Sequence, residues 1–149
     1  MNVLVLNGPS LGRLGTREPA LYGTTTLAEL ERRLREIGAA AGVQVSCRQH
    51  DDEEAFVESV RTAAADAIVM NPAALTHTSH PLREAVEAYG GPVFEVHITN
   101  IHAREPYRRR SMVSSLSRGS VIGLGVDGYA CALEAAIRAI KDAIMEEGS

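Results

Sequence analysis

Glu95, His97 and Thr99 alternate along Pro92-Val93-Phe94-Glu95-Val96-His97-Ile98-Thr99-Asn100, an apolar run that turns polar at its end. In a strand, successive side chains point to opposite faces, so these three share one face and Phe94, Val96 and Ile98 the other. A carboxylate two residues before a histidine on the same face accepts an imidazole N–H and sets the tautomer of the ring. The product is a proton donor or acceptor. Parallel α/β sheets bind ligands outside the carboxyl ends of their strands, where His97 and Thr99 fall. Asn71 closes another apolar run, Ala67 to Met70, and is read either as an amide facing a ligand or as a turn former. His77, within Leu75-Thr76-His77-Thr78-Ser79, is by itself a surface loop residue. It gains meaning if the ends of the strands before it and before His97 converge.

Arg17 and Tyr22 sit in Ser10 to Gly23, a glycine-bearing stretch. A tyrosine is a poor base, but a guanidinium a few ångströms away favours its phenolate. By spacing alone the simpler reading is that Arg17 pairs with Glu18 and Tyr22 packs on the core. Arg104, Arg108, Arg109 and Arg110 form a basic cluster, read as a solvated face or subunit contact, or as the source of one arginine that holds a polar or anionic substrate. Gly123-Leu124-Gly125-Val126-Asp127-Gly128 matches G-x-G-x-x-G. A dinucleotide site also needs a following strand with an acidic residue, which the chain does not supply, so these glycines are read as permitting close strand–helix packing. The five histidines have no convincing zinc spacing, and no Walker lysine motif is present.

Elements that position these residues follow from the hydrophobic pattern. Apolar runs at Asn2 to Asn7, Val43 to Gln49, Ala67 to Met70, Pro92 to Thr99 and Ser120 to Leu124 read as five strands. Between them, Thr26 with Glu29 makes a capping box for a helix to about Ala41, carrying Leu27, Leu30, Leu34 and Ile37 on one stripe. Asp51 and Asp52 start a helix with Ala55, Phe56, Val60 and Ala63 inward. Thr78 or Ser79 caps a third helix to about Tyr89, and the last runs from Tyr129 to Met145. Ser10 to Gly23 is expected to be a lid without structure of its own, and Asn100 to Ser117 a polar loop with a helical turn. Strands alternating with helices imply right-handed βαβ units and a parallel sheet, here in the flavodoxin-like order 2-1-3-4-5.

The 149 residues suit one domain, 1–149. A net charge of −4 gives no general attraction to nucleic acid or to an anionic membrane, and no apolar run would span a bilayer. Two separated cysteines, Cys47 and Cys131, and a start directly on a strand-like segment fit a cytoplasmic protein.

Taken together, Leu6-Asn7-Gly8-Pro9, Leu14-Gly15-Thr16-Arg17-Glu18-Pro19 through Tyr22-Gly23, Asn71-Pro72 through Leu75-Thr76-His77-Thr78-Ser79, Glu95 through Glu105, and Gly123-Leu124-Gly125 through Gly128-Tyr129 closely resemble the type II 3-dehydroquinate dehydratases. The resemblance covers essentially the whole chain. It implies a flavodoxin-like three-layer fold, no cofactor and no metal. It also implies anti elimination of water from 3-dehydroquinate through an enolate to give 3-dehydroshikimate, a step of aromatic amino acid biosynthesis. On that resemblance Tyr22 is the proton acceptor, Arg17 steadies the tyrosinate and developing charge, and His97 is the proton donor with Glu95 behind it. Asn71, His77 and Arg108 contact substrate hydroxyls, and the turn at Ile98 and Thr99 grips the substrate carboxylate. Trimers assembled into a dodecamer are implied, with an acid reaching in from a neighbouring subunit.

Three departures from the family pattern bear on rate. Ser10 stands where the family has an asparagine tied to a water near the enolate oxygen, and a missing donor of that kind costs ~10²–10³ in rate. Glu84 stands for the aspartate supplied by the neighbouring subunit, and Thr99 for a serine. Outside these three, Ala73 and Ala74 replace small residues that are often glycine, with less obvious consequences. The departures keep two other readings open: the same chemistry on an amino analogue of dehydroquinate, and a weakly active homologue serving as an assembly module.

Overall fold

The computed structural model describes residues 1–16 and 18–148. Five parallel strands form one sheet, β1 (Asn2–Asn7), β2 (Gln44–Gln49), β3 (Ala67–Asn71), β4 (Val93–His97) and β5 (Gly119–Ile122), in the expected order β2-β1-β3-β4-β5. Alternation along the strands divides the apolar side chains between two layers. Val3, Val5, Val69, Phe94 and Val96 pack with α2 (Leu27–Ala40) and α5 (Asp127–Glu147). Leu4, Leu6, Ile68, Met70 and Val93 pack with α3 (Glu53–Arg61) and α4 (His80–Tyr89). Glu95 and His97 therefore leave β4 on the α3/α4 face, opposite Phe94 and Val96, as the strand period requires.

Caps set where three helices begin. Thr26 Oγ1 accepts the Glu29 N–H, Asp52 Oδ2 accepts the Ala55 N–H, and Ser79 Oγ accepts the Leu82 N–H. Each satisfies an amide that has no partner inside its helix. Asp51, expected to share the start of α3, instead accepts the Ser10 N–H at 2.9 Å and ties the β1 loop to the end of β2.

Two other expectations are corrected. Ser10 to Gly23 is not structureless: it contains a 3-10 turn at Leu11–Arg13 and the short helix α1 (Pro19–Tyr22). Leu11 and Leu14 are buried in the α2/α5 core, and this apolar anchoring folds the segment down. Strand β4 ends at His97, not Thr99, because the next residues turn across the sheet edge: the Gly123 N–H bonds to the His97 carbonyl and the Gly125 N–H to that of Ile98. Among the described residues no helix is long and apolar enough to cross a membrane.

Candidate active site

Asn7 and Asn71 are register partners at the carboxyl ends of β1 and β3, and His97 ends β4 beside them. The loops that leave these strands enclose a cavity of about 170 Å³. Ser10, Tyr22, Asn71, His77, His97, Ile98, Thr99 and Arg108 all line it, so residues up to 98 positions apart in sequence meet there. Gly8 makes that convergence possible. A Cβ there would lie 2.4 Å from the Pro72 carbonyl oxygen, so a glycine is what lets the β1 and β3 loops touch. Arg17 lies outside the described residues. Glu84 is exposed on α4 and does not line the cavity of its own chain.

The pair at β4 is the best-supported feature. His97 Nε2 lies 2.6 Å from Glu95 Oε2. Glu95 has no solvent exposure, and its carboxylate also accepts from three hydroxyls: Ser111 at 2.7 Å, Ser120 at 3.1 Å, and Ser114. Burial alone would push this carboxyl up, but the His97 hydrogen bond and charge and the Ser114 and Ser111 hydroxyls outweigh it and hold it at about 2. An ionised carboxylate only accepts, so His97 Nε2 carries the proton of that bond and Nδ1 is the nitrogen left for exchange with a ligand.

Tyr22 closes α1 and is half-buried. Its hydroxyl accepts from Arg104 Nη1 at 3.4 Å. The basic cluster thus sends Arg104 as well as Arg108 into the cavity. Arg108 is restrained by Glu105 at 3.1 Å and by the Tyr107 hydroxyl at 2.8 Å, and its guanidinium lies 5.2 Å from the Tyr107 ring. His77 Nδ1 is 2.7 Å from the Arg110 carbonyl oxygen, which can only accept. Nδ1 therefore carries the proton, and Nε2 is an acceptor when the ring is neutral. Ser10 has a left-handed backbone, φ 71°, and its Oγ accepts from Arg13 at 3.3 Å.

Sequence reading did not single out Arg104 as the tyrosine's neighbour, nor Ser111, Ser114 and Ser120 around Glu95. The arginine was visible within its cluster. The serines were visible as a serine-rich run after that cluster, but the pairing of Ser120 with Glu95 depends on the β4–β5 register. Among the described residues, no three His, Cys, Asp or Glu side chains are grouped to hold a metal. A larger cavity, about 590 Å³, opens at the amino ends of the strands between Met1, Asp66, Arg118 and the last turns of α5. It contains no acid–base pair like Glu95 and His97, so chemistry favours the smaller one.

The chain is similar over most of its length to known proteins. The family model described as "Dehydroquinase class II" matches residues 1–137. The 3-dehydroquinate dehydratase of Halorhodospira halophila is 50% identical over 139 residues, 91% of this chain and 94% of that protein. That of Anoxybacillus flavithermus is 45% identical over 140 residues, 93% and 95% of the two chains. The crystal structure of the type II dehydroquinase from Propionibacterium acnes is similar with a TM-score of 0.87 at 45% identity, covering 92% of this chain and 96% of that one.

Proposed function

The chain belongs to the class II dehydroquinase family, and from that premise we propose that it is a hydro-lyase that converts 3-dehydroquinate to 3-dehydroshikimate by anti elimination of water. The observation that carries the reading is that Tyr22 and His97 line one small cavity, each with the partner its role needs. Tyr22 removes the proton beside the ketone, and the C–H electrons become the enolate. Arg104 Nη1 donates to the phenol oxygen at 3.4 Å, and the family resemblance gives Arg17 the role of steadying developing charge. The enolate then collapses, its C–O bond breaks, and His97 gives the departing hydroxyl a proton to make water. Because Nε2 is engaged by Glu95, that proton comes from Nδ1. Proton return from Tyr22 to His97 restores the site, so no cofactor or metal enters the balance.

Asn71, His77 and Arg108 contact substrate hydroxyls, and the turn at Ile98 and Thr99 binds the carboxylate. Residues 1–149 act as one catalytic domain in the cytoplasm. The subunits assemble as trimers within a dodecamer, where Glu84 enters a neighbour's site.

Absorbance of the conjugated enone tests the reading directly. Purified protein with 3-dehydroquinate should generate the signal, and Tyr22→Phe should abolish it without lowering the melting temperature. An inert natural substrate would overturn it. Turnover of the amino analogue alone would then identify a specialised dehydratase, and inertness toward both would identify an assembly module.

A further inference from the structure

Tyr129 has no role in the mechanism above, although its hydroxyl is bonded to Asn71, which lines the cavity. It follows the glycine-rich turn that resembled a dinucleotide motif, and that turn explains its placement. A Cβ on Gly128 would come within 3.2 Å of Val121 and 3.7 Å of Val96, so the missing side chain lets the start of α5 lie against β4 and β5. The Tyr129 ring is thereby fully buried, and burial pushes its phenol well above the ordinary tyrosine value, keeping it protonated.

Its hydroxyl joins two strand ends. It donates to Asn7 Oδ1 at 2.6 Å and accepts from Asn71 Nδ2 at 2.9 Å. Asn71 Oδ1 in turn accepts the Ala73 N–H at 3.1 Å. A phenol has one proton, and here it is committed to Asn7. A flip of the Asn71 amide would set its NH₂ against the Ala73 N–H, donor facing donor, and would turn its oxygen toward a hydroxyl whose proton is already used. The two bonds are compatible with one orientation. In that orientation one Nδ2 proton serves Tyr129 and the other is left for the cavity that Asn71 lines.

We propose that Tyr129 is a positioning residue that locks the Asn71 amide in the orientation presenting one N–H to a hydroxyl oxygen of the substrate. The inference rests on the reading of Asn71 as a substrate contact. It also accounts for the G-x-G-x-x-G turn as a device for seating a tyrosine.

A double-mutant cycle on kcat/KM for 3-dehydroquinate tests it, with Tyr129→Phe, Asn71→Ala and the pair. Tyr129→Phe should lower kcat/KM about tenfold, the scale of one lost hydrogen bond, and should have no further effect in the Asn71→Ala background. A merely structural tyrosine would lower activity by the same factor in both backgrounds, which overturns the proposal while leaving the contact intact. An Asn71→Ala variant with unchanged kcat/KM would overturn the contact reading and the proposal together. A second measurement needs no change at Tyr129. In the Tyr22→Phe variant, which holds substrate without turnover, 3-dehydroquinate should shift one of the two Asn71 side-chain amide proton resonances. Shifts of both, or of neither, would overturn the lock.

Discussion

At Glu95, burial and hydrogen bonding act in opposite directions, and hydrogen bonding wins. The carboxyl is held at about 2, below the ~4.3 of an unfolded glutamate. A depressed folded value adds stability that is fully present above the unfolded value and is lost as pH falls toward the folded one. Wild type should therefore exceed Glu95→Gln by on the order of 3 kcal/mol near neutrality, narrowing between about pH 4 and pH 2. Denaturant titrations of both proteins across that range check it, and a constant gap would contradict it. The same variant should lose roughly 10² in kcat with KM little changed, since it removes the group that orients the acid. Ser10 invites the opposite experiment. Its left-handed backbone is one that asparagine tolerates better than serine. Ser10→Asn should raise kcat and leave the melting temperature equal or higher.

Among the elements, the ends of β1 and β3 form a close joint. Gly8→Ala would drive a methyl into the Pro72 carbonyl, so a loss of about 1–3 kcal/mol is expected, together with a fall in kcat as Asn71 shifts. Chemical denaturation and steady-state assays measure the two effects. Ala73 lies in the same loop at φ 54°, a conformation costing an L-residue roughly 1–2 kcal/mol. The Asn71 bond to its N–H helps hold it there. Elements themselves were largely legible beforehand, because period-2 and period-3.6 patterns and caps such as Thr26, Asp52 and Ser79 are local signals. The turns at Leu11–Arg13 and Pro19–Tyr22 were not, because they are stabilised by Leu11 and Leu14 reaching a core built by α2 and α5.

For the whole molecule, the outstanding residue is Glu84, exposed on α4 and outside the cavity of its own chain. If it completes a neighbour's site, mixed assembly of His97→Asn and Glu84→Ala subunits should recover activity that neither variant shows alone. Sizing of the same mixture should give a dodecamer. Co-refolded variants that remain as inactive as their parents would contradict a site shared between subunits, and a fully active Glu84→Ala would place Glu84 outside the chemistry.

The sequence by itself led to the strand order and to the Glu95–His97 pair, while Tyr22, His77 and Arg108 entered as site residues through the resemblance of ordered motifs to the family. The strands and the pair follow from alternation and helix caps, which act over a few residues, and the order follows from the rules for right-handed βαβ units. Only the tertiary structure decided that Arg104 faces Tyr22, that three serines surround Glu95, and that Tyr129 bridges Asn7 and Asn71. Those contacts depend on strand register and on how closely a helix can approach a sheet, which no local pattern of residues encodes.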